Sequence, residues 1–342
     1  MRRNSKNFPL GKLKHHYLAN LLKNLEINDD RVISGSKIGE DAAVIDTPGN
    51  HYLVIKTDPI TFATDQIGYY VVNVNVNDLV CTGAKPRWFQ STILLPEKRT
   101  TPELIQRIFE DINNTCKSME ITVIGGHTEV TSQLTRPIIV GSLIGEVEKN
   151  SLVLNSGAEA GDALILTKGI FIEGTSIIGR EKEEFLKDKG MDPNFIKRCR
   201  DYLFNPGISV YKEAMLAHNN FTVKACHDPT EGGIYTAIAE MTIASETGVL
   251  IEEEKINILP EPSTFSEIFK LNPYNTISSG SLLIAVDQAD APALVDLLRN
   301  HNINAEKIGK FVSKDKGLHV KKKNGSISRL KYSETDDITK IF

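Results

Sequence analysis

Five carboxylates stand where elements of the chain are expected to end: Asp41, Asp58, Asp78, Glu129 and Asp228. Taken singly, each reads as a helix cap or a solvated turn. The first lies in Ile38-Gly39-Glu40-Asp41-Ala42-Ala43-Val44, two adjacent acids between a glycine and an apolar run. Alone, that heptapeptide reads as an acidic turn. A carboxylate at the edge of a buried strand is nevertheless costly unless positive charge sits on it. Magnesium takes oxygen ligands and favours carboxylates combined with phosphate oxygens. As a set the acids therefore point to an Mg²⁺–nucleotide site, with Asp41, Asp58, Asp78 and Glu129 as metal ligands.

Two glycine pairs could supply the phosphate side. Gly125-Gly126-His127-Thr128-Glu129 follows the apolar run Ile121–Ile124, expected to be a short buried strand. Its glycines would then sit at the strand's carboxyl end, where α/β folds bind ligands. Bare amides there can face a phosphate, with His127 and Thr128 beside it; a plain tight turn is the alternative. In His227-Asp228-Pro229-Thr230-Glu231-Gly232-Gly233, Asp228 suits an N-cap, Pro229 a first helical position and Glu231 a capping box. Capping does not explain Gly232 and Gly233. Two glycines in the first turns of a helix cost about 1 kcal/mol each against alanine. They are expected where backbone approaches a ligand, and a helix N-terminus is an anion site. His227 and Asp228 are the candidate catalytic residues, although lone histidines are more often structural. A P-loop lysine, a GxGxxG after a strand, a GxSxG elbow and an HExxH are all absent.

These residues need elements to carry them. Leu18, Leu21, Leu22 and Leu25 recur at helical spacing, and Asp29-Asp30 would end that helix. His51–Thr57, Gln90–Leu95 and Pro137–Val147 read as strands, and Thr101–Met119 as a helix with a threonine cap and first-turn proline. Gly68–Gly83 is ambiguous: Val72, Val74 and Val76 alternate with asparagines at strand period, yet length and the glycine stop favour a helix. Turn chemistry at Asn155-Ser156-Gly157 and Ala160-Gly161-Asp162 places a boundary near 150–162. Beyond it come a strand at Ala163–Thr167, helices near 193–204 and 207–218, a strand at Phe221–Cys226, a long helix to about Thr247, a strand at Ser281–Val286 and a helix at Ala291–Asn300. The expected units are a basic tail and helix over 1–36, domains over 37–150 and 151–330, and a tail over 331–342.

At 342 residues, two domains of ordinary size are expected. A formal charge of −4 gives no basic field for nucleic acid. No apolar stretch approaches the roughly 20 residues of a membrane span, and the basic N-terminus lacks the apolar run of a secretory signal. Four cysteines without paired spacing read as free thiols in a reducing cytoplasm.

The order of IGEDAAVI, KTDPI, NDLVCTGAKP, GGHTEVT, AGDALILTK, HDPTEGG and SSGSLLIAV resembles the AIR synthase-related (PurM-like) superfamily, over about residues 10–325. HDPTEGG is most similar to the HypE branch, the hydrogenase maturation proteins. The resemblance implies an α/β (α+β) two-domain PurM-like fold: a ferredoxin-like first domain that pairs two subunits into a homodimer, and a C-terminal α/β sandwich. It implies ATP with Mg²⁺ in the cleft, near Asp41, Asp58 and Asp78, with Gly125–Glu129 as the phosphate-side loop and Asp228 at the active-site helix start. It also implies phosphorylation of a carbonyl- or phosphate-type oxygen, and a maturation partner protein. Two alternatives are a small-molecule kinase resembling thiamine-monophosphate kinase, and a non-catalytic dimeric scaffold. The branch's terminal cysteine has no counterpart after Cys226, and His127, His227 and Glu231 replace an aspartate and two arginines of its motifs. The branch's thiocyanate-forming reaction is therefore not expected in its usual form.

Overall fold

Alternating apolar residues between 32 and 148 form one sheet, and those between 163 and 329 form another. The computed structural model describes residues 13, 15–35, 39–61, 63–333 and 335–342. Ile38 and the basic tail over 1–12 lie outside the described residues.

The first sheet contains β1 (Val32–Ser34), β2 (Ala43–Asp46), β3 (His51–Ile60), β4 (Lys85–Pro96), β5 (Thr122–Thr131) and β6 (Ile138–Glu148). Their order is β1-β2-β3-β6-β4-β5. Every pairing is antiparallel except β4 with β5. Three helices accompany it: α1 (His15–Leu22), α2 (Ile67–Cys81) and α3 (Pro102–Ser118). α1 stops at Leu22, short of the expected Leu25, and Asp29 instead pairs with Arg31 at 2.6 Å. α3 follows its sequence signals: Thr101 accepts from the Leu104 N–H, and Pro102 opens the first turn.

α2 resolves the ambiguity of the valine–asparagine alternation. It is a helix buried on nearly every side, so no solvent-facing stripe exists to mark helical period. Its asparagines serve the backbone around them. Asn75 accepts from the Asp58 N–H of β3 at 2.9 Å. Asn77 donates to the Ile208 carbonyl at 2.8 Å and accepts from the Val210 N–H at 2.9 Å. α2 lies so close to β6 that a Cβ at Gly141 would come within 2.4 Å of the Asn75 amide.

The second sheet contains β7 (Ala163–Thr167), β8 (Val223–His227), β9 (Gly248–Glu252), β10 (Leu283–Val286), β11 (Ala305–Val312), β12 (Leu318–Lys321) and β13 (Ile327–Arg329), in the order β13-β12-β9-β11-β7-β10-β8. Only β12 with β9 is parallel. Its helices are α4 (Ile172–Glu181), α5 (Glu183–Asp188), α6 (Pro193–Asp201), α7 (Tyr211–Asn220), α8 (Gly233–Ala244), α9 (Pro260–Phe269) and α10 (Ala291–Asn300). The chain thus has the mixed α/β two-domain architecture with two sheets. One apolar core joins them, running from Val76 and Leu79 of α2 to Ala217 of α7 and Cys226 of β8. Among the described residues no helix is long and apolar enough to cross a membrane.

The region around Gly125 departs from expectation. β5 does not end at the glycines; it continues through them to Thr131, and it is an exposed edge strand, not a buried one. Gly126 answers a packing demand. A Cβ at Gly126 would meet the Ser91 carbonyl oxygen of β4 at 2.1 Å, whereas one at Gly125 would meet nothing within 4 Å. Gly126→Ala is expected to lower stability by about 1–3 kcal/mol, and Gly125→Ala by less, read as shifts of the urea midpoint at constant slope.

Candidate active site

β3 turns Val54, Lys56 and Ile60 to the buried side. This period-2 placement puts Lys56 and Asp58 on one face, toward α2. The Lys56 ammonium reaches Asp78 of α2 at 2.7 Å and Asp58 at 3.1 Å. Burial alone would lower the Lys56 pKa, but the charges of Asp78, Asp58 and Asp41 outweigh it and hold it well above the ordinary lysine range. Burial also pushes Asp78 far up; Lys56 opposes that, while Asp228 and Asp41 add to it.

The second half completes the cluster from the end of β8. Asp228 is 1% exposed, and neither of its oxygens accepts from a donor among the described residues. It lies against Asp78, and burial raises its pKa too. Burial with no donor of its own favours the neutral form of the Asp228 carboxyl. His227 is clamped at both ring nitrogens: Nδ1 stands 3.3 Å from Asp41, and Nε2 stands 3.0 Å from Glu240 of α8. Burial opposes its charge, yet hydrogen bonds to those two carboxylates raise its pKa well above the ordinary value. It is an imidazolium held in place, not a free base.

The segment before β2 is tied to the same wall. Asn155 donates to the Gly39 carbonyl at 2.7 Å, and the Glu40 carboxylate accepts from the N–H groups of Asn155 and Ser156 at 3.4 and 3.3 Å. A small recess of about 10 Å³ results, lined by Glu40, Asp41, Asp78, Asn155, His227 and Asp228 among others. Half-exposed Asp41 stands at its mouth.

Asp41, Asp58, Asp78, His227 and Asp228 therefore converge. Gly125, Gly126, His127, Thr128 and Glu129 do not join them within one chain. Register runs Asp58, Gly141, Ser91, Gly126 across four strands, three spacings or about 14 Å. Glu129 is half exposed and pairs with His127 at 3.2 Å. Among the described residues no group of three or more His, Cys, Asp or Glu is arranged to hold a metal ion.

The expected capping role of Asp228 is corrected: α8 starts at Gly233, and Gly232, at φ +83°, is its cap. The helix N-terminus is not a vacant anion site, because the Gly232 N–H donates to the Asp336 carboxylate of the C-terminal tail at 2.7 Å. Sequence reasoning missed Lys56, Asn155, Glu240 and Asp336, and made Glu40 only the neighbour of Asp41. Lys56 had a usable signal, since a lysine two residues before an aspartate in an alternating strand shares its face.

Residues 39–147 match the model of the AIR synthase related protein N-terminal domain, and residues 159–321 that of the C-terminal domain. The chain belongs to the AIR synthase related proteins. It is HypE-like within them. It is 30% identical over 308 residues to a protein of Methanocaldococcus jannaschii named for hydrogenase expression and formation, with 88% of each chain covered. It is 27% identical over 286 residues to the carbamoyl dehydratase HypE of Cupriavidus necator, covering 80% of this chain and 77% of that one. Among solved structures, HypE in complex with ATP shares the fold at a TM-score of 0.71 and 19% identity, covering 93% and 95% of the two chains. A HypE–HypF complex does so at 0.71 and 20%, covering 86% and 94%.

The tail contact titrates. Burial raises the Asp336 carboxyl to about 7 against hydrogen bonds from Ile338 and Gly232 that lower it. A raised folded-state pKa means its contribution is fullest below about pH 4, the unfolded value, and is lost as pH rises through 7. Amide exchange over 336–341 and at Gly232 should accelerate between about pH 4 and 7 beyond the intrinsic pH effect and level off above that, and Asp336→Asn should abolish that excess.

Proposed function

We propose that this AIR synthase related protein binds Mg–ATP between its two domains and transfers a phosphoryl group to a carbonyl- or phosphate-type oxygen. One observation carries the reading: four carboxylates distant in sequence, with one buried lysine, meet at a cleft formed by both sheets. One similar protein is named a carbamoyl dehydratase and another is titled as HypE in complex with ATP, which supports the nucleotide part of the reading. The HypE–HypF title supports a maturation partner protein for this chain.

The donor set suits a hard cation chemically, being all carboxylate oxygen. Magnesium usually takes only one or two protein carboxylates and completes its shell with phosphates and water, so a preformed cage is not required. Asp41 at the mouth and Asp58, paired with Lys56, would hold it together with Asp78. When bound, it would neutralise charge on the triphosphate. Lys56 keeps Asp58 and Asp78 in place, and its charge favours anionic phosphates. His227 positions Asp41. Asp228, buried against Asp78, orients the acceptor. By calorimetry, Mg–ATP is expected to bind the unaltered protein, and Asp41→Asn or Asp58→Asn to weaken it at least about tenfold, 1.4 kcal/mol. An unaltered protein that binds no nucleotide would defeat the proposal. A panel of phosphoryl acceptors that includes thiamine phosphate would separate the kinase alternative.

The β5 residues enter this reading through a second copy. β5 exposes nine of its ten residues. Val123 of this strand and Phe109 of α3 line an apolar groove and are 42% and 50% exposed. Such an edge is a ready template for pairing. We assign it to a homodimer, in which Gly125, Gly126, His127, Thr128 and Glu129 would serve the partner's phosphate side. Phe109→Asp with Val123→Asp should halve the mass measured by light scattering and weaken Mg–ATP binding; a dimer unchanged by both would remove this assignment.

A further inference from the structure

The edge of the second sheet is a hairpin that carries the one Asn-Gly pair of the sequence, Asn324-Gly325. β12 and β13 pair over three residues only: His319 with Arg329, Val320 with Ser328, and Lys321 with Ile327. The turn between them is closed by two bonds. The Gly325 N–H donates to the Lys322 carbonyl and the Lys322 N–H to the Ser326 carbonyl, each at 2.8 Å. Gly325 sits at φ +81°, which glycine adopts without strain. Asn324, Gly325 and Ser326 are all exposed, so water reaches the turn.

The Asn324 side chain is folded back on its own backbone. Its Oδ1 accepts from the Ser326 N–H at 3.0 Å and from the Ser326 hydroxyl at 2.7 Å. A bond to the residue two positions on closes a ring around the intervening peptide, which holds the Asn324 Cγ beside the Gly325 nitrogen. Two donors on one carbonyl oxygen draw electrons from that carbon and make it a better electrophile. Gly325 has no Cβ to bar the approach, and one built there would meet nothing within 4 Å. Lys321, Lys322 and Lys323 stand immediately before the pair. Positive charge favours the ionised form of a neighbouring acid, here the Gly325 amide. Two other asparagines lack this combination. Asn155 precedes a serine but is 6% exposed, and its side-chain amide donates to the Gly39 carbonyl at 2.7 Å. Asn150 is exposed but precedes Ser151, whose Cβ crowds the attacking nitrogen.

We propose that Asn324 modifies itself to aspartate and isoaspartate, and that the isoaspartyl form unpairs β13 and loosens the C-terminal tail that follows it. The Gly325 nitrogen attacks the Asn324 Cγ. A nitrogen–carbon bond forms, the Cγ–Nδ2 bond breaks, and ammonia leaves with the proton of the Gly325 nitrogen. Water, the co-reactant, then opens the succinimide at either carbonyl. Opening at Cγ gives aspartate. Opening at the main-chain carbonyl gives isoaspartate, with the chain now running through Cγ. Nothing is oxidised or reduced. Isoaspartate adds one carbon to the main chain inside a turn whose length sets the register of the hairpin. A ladder of three residue pairs at a sheet edge has little reserve against that slip. Lys322 anchors the β12 side, paired with Glu253, which accepts from the Tyr235 hydroxyl of α8 at 3.0 Å. β13 is exposed along its length and leads to Leu330, whose N–H donates to the Leu318 carbonyl at 2.9 Å, and from there to Asp336 on the Gly232 N–H.

The test incubates the full-length protein in mildly alkaline buffer and maps asparagine conversion by tandem mass spectrometry. Isoaspartate is scored by methylation with an isoaspartyl methyltransferase. Conversion at Asn324 is expected to rise with pH and to run at least about tenfold faster than at Asn150 or Asn155. Asn324→Gln, which cannot close a five-membered ring, should abolish it, and Ser326→Ala should slow it with Gly325 still in place. A folded protein that keeps Asn324 intact while the urea-unfolded chain converts it would overturn the site, as would equal conversion of all three asparagines. For the tail, the isoaspartyl fraction should lose amide protection over 336–341 relative to fresh protein. Asn324→Asp adds the charge without the extra carbon and should retain that protection. Equal protection in the isoaspartyl and fresh protein would overturn the loosening role. Loss in Asn324→Asp as well would assign the effect to charge and overturn the backbone account. Neither arm depends on the nucleotide reading.

Discussion

A single buried ammonium holds the cleft together. Lys56 stands between Asp58 of its own strand and Asp78 of the helix packed on that strand. Removing charges from water costs several kcal/mol for each ion, and only close pairing repays it. Lys56 permits two acids to remain near the junction of the domains, and everything else at the site adjusts to that. Asp228 is buried beside Asp78 with no donor on either oxygen among the described residues, and that burial raises its pKa. Asp41 can sit at the mouth because His227 carries a positive charge toward it.

The same logic places the helix. α2 brings Asp78 to the cleft, and it is buried on nearly all sides, so its polar groups must be satisfied by protein. Asn75 and Asn77 do this by bonding the backbone of β3 on one side and of residues 208–210 on the other. The asparagines that obscure helical period in the sequence are the groups that fasten the helix between the two halves.

Much of the architecture was legible because local chemistry and the final fold agree. Thr101-Pro102 caps and opens α3, and Ala163–Thr167 and Ala291–Asn300 lie where their apolar patterns put them. Five of the acidic and histidine positions singled out for chemistry meet at one cleft. What could not be read depended on neighbours distant in sequence. The glycine of Gly126 answers a carbonyl on β4, which no local pattern reveals. Asp228 reads as a cap because its neighbours supply capping chemistry, but the chain uses a left-handed Gly232 instead. The partner on that glycine's N–H, Asp336, is 104 residues away.

That last contact makes the end of the chain a lever. Ile338 is packed in a cluster with Phe171 and Phe265, while Thr236 of α8 donates to the Ser333 carbonyl at 2.8 Å. Force applied to the final dozen residues, by a docked protein, a protease or a fused tag, is therefore delivered to the first turn of α8. The same helix carries Glu240, one of the two clamps on His227. A pull at the terminus would be felt at the imidazolium without any molecule entering the cleft.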